Sequence, residues 1–452
     1  MPFRPNLLST HAGLAAVALA AAVVAAPASA QWTPWAQPAP LQPAPWQPAL
    51  TPPPVPASGA VIRFYENRGN TPIWFRAGPR SDAATQFLSI LHRSTVDGFA
   101  EGPRLAAGLQ QAIRNAQFGG PPAMLHADRL LSTAWVRYVQ AVRSPSRGVL
   151  YGTDEIARPT AVDAILRETA SAPHLVSHVR SVSDVNPVYA QLRDAAWNLA
   201  QMTGGVLDRR VMANLERARA FPSSGRYVVV DVASQQLFMF EDGQVRDSMK
   251  VIVGKREQKT PMIASMIHFA TFNPYWNVPD DLVRSLIAPN VLNQGTSYLQ
   301  ARGYEVVLNW ADNAPRLAPE KIDWKAVAAG RERIRVRQKP GPANSMGDFK
   351  FSFANPVGIY LHDTPQKELF NASKRTLSNG CVRLEDAPRF ARWLLGRSPV
   401  APSSAPEQHV QLAQGVPVFL TYLTVRSDGA RLTFTDDVYD LDGAADYELA
   451  AR

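Results

Sequence analysis

The sequence predicts a multidomain α+β protein: a helical N-terminal domain, then a β-rich domain with a helical and irregular insertion. Three observations lead there. Apolar residues recur at helical spacing in successive stretches between Asp82 and Ala220; the pattern turns β-branched and alternating beyond Pro222; and it becomes irregular again between Pro279 and about Met346. At 452 residues the chain has room for two or three domains of roughly 100 to 200 residues each.

The first thirty residues carry Arg4, an apolar run from Ala12 to Ala26 and a closing Ala28-Ser29-Ala30. That is the form of a secretory signal peptide, too short for a comfortable membrane span. The expectation is export to a Gram-negative periplasm, with Gln31 the first mature residue and no integral membrane span after cleavage. Residues 31–58 hold ten prolines interspersed with Trp32, Trp35 and Trp46, which predicts a semi-rigid, extended linker.

Order is expected from Val61. Helical spacing continues through Asp82–His92, Leu105–Arg114, Ala127–Val142, Thr160–Glu168, Val188–Met202 and Asp208–Ala220, giving a helical domain over residues 60–222. His92, His126, His174 and His178 are scattered through it and form no metal-ligand cluster. Tyr227–Val232, Gln236–Glu241 and Gln244–Val253 then read as three strands, the last two joined by an Asp242-Gly243 hairpin turn. Strand character continues over Ile267–Phe272, returns at Lys350–Phe353 and Gly358–Leu361, and again at Pro417–Val425; helical spacing runs from Asp386 to Leu395. Residues 280–348 form the insertion, with helices near Asp281–Ala288 and Ile322–Ala329. The acidic, apolar-poor stretch 436–452 reads as a loose tail.

The formal charge of +9 suits an anionic polymer such as cell-wall glycopeptide. Nucleic acid fits poorly, because no Lys/Arg run is interleaved with aromatics and export would remove access. The composition and motifs call for no metal and no cofactor.

Chemistry concentrates on one residue. Cys381 is the single cysteine, and an unpaired cysteine in an exported chain points to intermolecular pairing or a reactive thiol. It sits in Ser378-Asn379-Gly380-Cys381-Val382-Arg383, nineteen positions after His362, which a strand delivers at its end. An imidazole beside a thiol supplies a base, Gly380 leaves room for substrate, and the amides of Asn379, Gly380 and Cys381 are placed to face an oxyanion. A lone cysteine is otherwise a small core residue and a lone histidine a structural one; the joint pattern favours a catalytic pair.

The segment His362 … Ser378-Asn379-Gly380-Cys381 resembles the signature of the L,D-transpeptidase (YkuD-type) catalytic domain. Val251-Ile252-Val253-Gly254-Lys255, Lys259-Thr260-Pro261, Phe272–Pro279, Arg337–Pro342 and Tyr360–Pro365 are similar to the YcbB-like subgroup with a capping subdomain, and Phe64-Tyr65 … Pro72-Ile73-Trp74 to its scaffold domain. The resemblance implies a mixed β-sandwich catalytic domain over 226–425, a capping subdomain over 280–348, and a transferase that forms peptidoglycan cross-links through a Cys381 thioester. It implies His362 as general base and acid, the main-chain carbonyl of Asp363 as its orienting partner, Asn379 and Gly380 at the oxyanion, and Ser378, Tyr360, Trp276 and Arg383 at the substrate. The partners implied are donor and acceptor peptide stems, with carbapenem-type inhibitors expected. Water or another amine as acceptor would make the same site an L,D-carboxypeptidase or an amino-acid or lipoprotein exchanger; a different class of reading is a catalytically silent wall-binding scaffold. Two departures stand out: Asn379 occupies the position where the family commonly has His, and no clear peptidoglycan-binding module precedes Tyr227.

Overall fold

The computed structural model describes residues 56–443 except 312 and 430. The expected signal peptide, nearly all of the proline-rich stretch and the end of the acidic tail therefore lie outside the described residues.

Eight helices, from Gly59–Asn67 to Arg209–Ala218, build the N-terminal region. Their starts follow from the sequence: Ser58, Ser81, Asn186 and Asp208 each accept a backbone N–H of the first turn with the side chain. Their apolar stripes meet around Phe87, Trp135 and Tyr138, where Phe87 and Trp135 pack edge to face at 5.2 Å. Val61–Tyr65 belongs to the first helix. The helix Leu175–Asp184 was not expected: it is short and begins after His174, which offers no side-chain cap.

A short strand within this region, β1 (Val149–Tyr151), pairs with the β-rich domain that follows. That domain opens with β2 (Arg226–Asp231), β3 (Gln236–Glu241), β4 (Gln244–Gly254) and β5 (Met262–Phe272). Asp242 and Gly243 join β3 to β4 with φ of 50° and 77°, the double positive-φ turn that matches strand twist. The insertion then contributes β6 (Trp276–Asn277), β7 (Tyr304–Val307), β8 (Arg316–Leu317) and β9 (Arg335–Gln338). After it come β10 (Phe349–Ser352), β11 (Tyr360–His362), β12 (Thr376–Ser378), β13 (Val382–Leu384) and β14 (Gln408–Thr421).

Strand neighbours run β1-β5-β10-β11-β13-β4-β3-β2-β14, and β14 also pairs with β5. The sheet thus closes on itself around a core of Val228, Val251, Phe351, Leu361, Val382 and Val418. The helix Ala387–Leu395, capped by Asp386, sets Phe390 against Phe351 at 4.8 Å.

Two differences from the sequence expectations have physical causes. The insertion is more than helical and irregular: β6, β9, β7 and β8 form a four-stranded antiparallel sheet with its own core around Ile287, Val306 and Val336. Strands of two to four residues are too short to show an alternation. And the stretch from Asp436, read as a loose tail, is packed as far as Asp442. Tyr439 stacks on Tyr422 at 5.5 Å, and Asp442 pairs with the buried Arg217 at 2.8 Å. No helix among the described residues is long and apolar enough to cross a membrane.

Candidate active site

Two adjacent parallel strands place the candidate residues. β11 and β13 pair with Leu361 opposite Val382 and His362 opposite Arg383, so Tyr360 stands beside Cys381, the residue just before β13. On the other side of β11, β10 sets Lys350 opposite His362 and Ser352 opposite Tyr360. Side chains alternate along a strand. Phe351, Leu361 and Val382 therefore enter the core, each fully buried, while Tyr360, His362 and Arg383 take the opposite face and line one cleft with Cys381, which is also packed against the edge of that core. β-register thus unites residues nineteen or more positions apart.

The imidazole of His362 is buried and donates from Nδ1 to the main-chain oxygen of Asp363 at 2.6 Å. That bond assigns the proton to Nδ1 and leaves Nε2 as a lone pair. Burial pushes the ring's pKa down to about 3, and the Arg383 guanidinium in the neighbouring register position adds to the effect. The Asp363 carboxylate faces elsewhere: it accepts the Asp348 N–H at 3.0 Å and pairs with Lys367 at 2.7 Å.

Burial also pushes the Cys381 thiol up, opposed by hydrogen bonding from Tyr360 and by the positive charges of Lys350 and Arg383. Both members of the pair are thus held neutral at rest. Among the described residues the thiol's hydrogen bond to a carbonyl is to Gly358, at a long 3.9 Å, and no hydrogen bond joins Cys381 to His362.

The turn before Cys381 is tightly tied. Ser378 Oγ donates to the Cys381 carbonyl at 2.6 Å and accepts the Gly380 N–H at 3.1 Å. The Gly380 amide, expected to face an oxyanion, is therefore turned toward Ser378. Gly380 instead supplies conformation: its φ is 116°, closed to residues with a Cβ. Asn379 is exposed on the same turn.

These groups line a cleft of about 380 Å³ whose facing wall comes from the insertion, including Trp276, Leu282, Tyr298, Arg302 and Tyr304. Arg383 reaches Gln366 Oε1 at 3.0 Å and makes no ion pair with a carboxylate among the described residues, which leaves it available to an anionic ligand. Lys350 and Gln366 escaped the sequence reading. Lys350 was visible only as one residue of a strand, and its place beside His362 depends on register. A larger cavity, about 970 Å³, lies among Asp97, Glu216, Arg217 and Asp442; it contains neither the thiol nor the imidazole, so the smaller cleft is the chemically equipped one.

Residues 225–401 match the family model of the L,D-transpeptidase catalytic domain (YkuD), and residues 59–195 match that of the Scaffold domain. A Haemophilus influenzae (strain Rd) protein, named provisionally as an L,D-transpeptidase, is 27% identical over 396 residues, covering 84% of this chain and 78% of that protein. Among solved structures, the L,D-transpeptidase from Mycobacterium smegmatis is 14% identical with a TM-score of 0.23, and the match covers 44% of this chain and 59% of that one. The L,D-transpeptidase from Xylanimonas cellulosilytica (residues 123–326) is 15% identical with a TM-score of 0.21, covering 62% of this chain and 97% of that one. Overlaps that low carry no weight for the fold.

Proposed function

Since the chain belongs to the L,D-transpeptidase family, with a scaffold domain ahead of the YkuD-type catalytic domain, we propose that it is an exported enzyme that cross-links peptidoglycan through a Cys381 thioester. The observation that carries this reading is that His362, at the end of β11, and Cys381, in the turn that enters the neighbouring β13, line one cleft.

The proposed reaction follows from the resting charges. A thiol held up and an imidazole held down do not form an ion pair before substrate arrives. The thiol proton passes to His362 Nε2 as sulfur attacks the carbonyl carbon of the donor stem. A C–S bond forms, the amide C–N bond breaks, and the departing amine takes the proton from His362. An acceptor amine then attacks the thioester, giving its proton to His362; a new C–N bond forms, the C–S bond breaks, and the departing thiolate takes that proton back from His362. The Asp363 carbonyl holds the ring in the required tautomer throughout. The developing oxyanion is assigned to the Cys381 amide, with Asn379 beside it; Arg383 is assigned to a stem carboxylate, and Tyr360 and Trp276 to the peptide. Export to the periplasm rests on the sequence of residues 1–30.

Incubation of purified protein with sacculi, followed by muropeptide analysis, tests the reading. New cross-linked dimers from wild type and none from Cys381→Ala are expected; shortened stems without dimers would reassign the enzyme to carboxypeptidase. A carbapenem is expected to add its mass to wild type. An adduct that survives in Cys381→Ala would sink the nucleophile assignment.

A further inference from the structure

The turn that carries Cys381 is tied to a part of the chain beyond the matched catalytic domain, which ends at residue 401. Thr260 Oγ1, buried beneath the turn, donates to the Gly380 carbonyl at 2.6 Å and accepts the Gly254 N–H at 2.9 Å. Tyr439 packs over this pair. Its hydroxyl donates to the Gly254 carbonyl and accepts the Thr260 N–H at 3.3 Å, while its own carbonyl accepts Lys259 Nζ at 2.7 Å.

Tyr439 is in turn held from behind. Its ring, 1% exposed, stacks on Tyr422 with planes 6° apart, and its N–H donates to the Tyr422 hydroxyl at 2.9 Å. Asp437 accepts that hydroxyl at 2.7 Å and the Leu441 N–H at 2.9 Å. Asp442, three residues beyond Tyr439, pairs with Arg210 at 3.0 Å and with Arg217 at 2.8 Å on the last helix of the N-terminal region.

We propose that Tyr439 and Thr260 are positioning residues for the nucleophile: the segment 436–443 is a clasp that, through Thr260, fixes the peptide plane between Gly380 and Cys381. In a trans peptide the C=O and the following N–H point in opposite directions. Anchoring the Gly380 carbonyl on buried Thr260 therefore aims the Cys381 N–H away from the core, the direction in which an oxyanion donor is needed. Gly380, at φ 116°, has no steric barrier of its own to hold that plane. The restraint on that plane comes from Thr260 at its C=O, while Ser378 holds the planes on either side through the Gly380 N–H and the Cys381 carbonyl. A misplacement on the order of 1 Å at a reacting group costs up to about a hundredfold in rate.

The inference rests on the reading of Cys381 as the nucleophile, and the test separates the two. Purified full-length Tyr439→Phe, Thr260→Val and Thr260→Ser are compared with wild type and Cys381→Ala for kcat, KM and thermal unfolding. Tyr439→Phe keeps the stacked ring and loses the hydroxyl's two bonds; Thr260→Val keeps the shape and loses both of its bonds. For these two variants, kcat is expected to fall roughly tenfold or more with KM within about twofold of wild type. Thr260→Ser is expected to recover most of the turnover, because the hydroxyl is restored. Wild-type kcat in Tyr439→Phe and Thr260→Val, a loss matched by the loss of folded protein, or no recovery in Thr260→Ser would each overturn the clasp. Full activity in Cys381→Ala would instead overturn the nucleophile reading on which it stands.

Discussion

His362 and Arg383 occupy facing register positions on adjacent parallel strands, so a guanidinium without a carboxylate partner among the described residues flanks the imidazole. Lys350 flanks the same ring from the other neighbouring strand. A cation on each side disfavours a third positive charge between them, in addition to the effect of burial.

Replacing that guanidinium should therefore retune the base. In Arg383→Gln the imidazolium loses a repulsive neighbour, so the His362 pKa rises and the acid limb of the pH profile of kcat/KM moves to higher pH, by on the order of one unit. KM for an anionic stem should rise as well. An unmoved acid limb would show that burial alone sets the base.

The same imidazole makes stability depend on pH. Its folded pKa, about 3, lies below its ordinary value of 6.5, so the unfolded chain binds the extra proton between them. The stabilisation is complete above pH 6.5 and is lost as pH falls through that window, at up to about 1.4 kcal/mol per pH unit. Urea unfolding at pH 7 and pH 4.5 should show a steeper loss for wild type than for His362→Asn. Parallel losses would contradict the buried neutral ring. The thiol works at the other end: its raised pKa gives stability that is lost as pH rises past its ordinary value near 9.

Gly380→Ala places a Cβ at φ 116°, with Ile359 Cδ1 3.2 Å away. The conformational strain is about 1–3 kcal/mol, and the turn can relieve it by moving. A folded protein with turnover reduced at least roughly tenfold is expected by the same rate sensitivity to position. Circular dichroism and steady-state kinetics check both halves, and wild-type turnover would show that the turn tolerates the shift.

Far from the cleft, Asp128 is fully buried and accepts the backbone N–H groups of Ile73, Trp74 and Phe75 at 2.8, 2.9 and 2.9 Å, together with the Tyr65 hydroxyl. Asp128→Ala strands several buried donors at once and should cost on the order of 3–5 kcal/mol in urea unfolding. A loss under about 1 kcal/mol would mean that water replaces the carboxylate.

Local sequence carried a large part of this protein. The 3.6-residue spacing from Asp82 to Ala220, the β-branched run at Tyr227–Val232 and the Asp242-Gly243 turn each encode an element by short-range physics, and helices and hairpins form there. The spacing of His362 and Cys381 likewise marked the candidate pair that the fold brings into one cleft. Elements that exist only through distant partners were not legible. β1 has three residues and is a strand because β5 accepts it, and the sheet of the insertion is built from strands equally short.

The tertiary structure decided how the marked residues are arranged and held. It set Lys350, His362 and Arg383 in one row, turned the Gly380 amide onto Ser378, and packed Tyr439 beneath the turn that bears Cys381. The physical reason is that strand register and peptide orientation are fixed by hydrogen bonds between segments distant in the chain, 185 residues apart for Tyr439 and Gly254. The sequence by itself determined which side chains could do chemistry; only the closed sheet and its C-terminal clasp decided which atoms face the cleft.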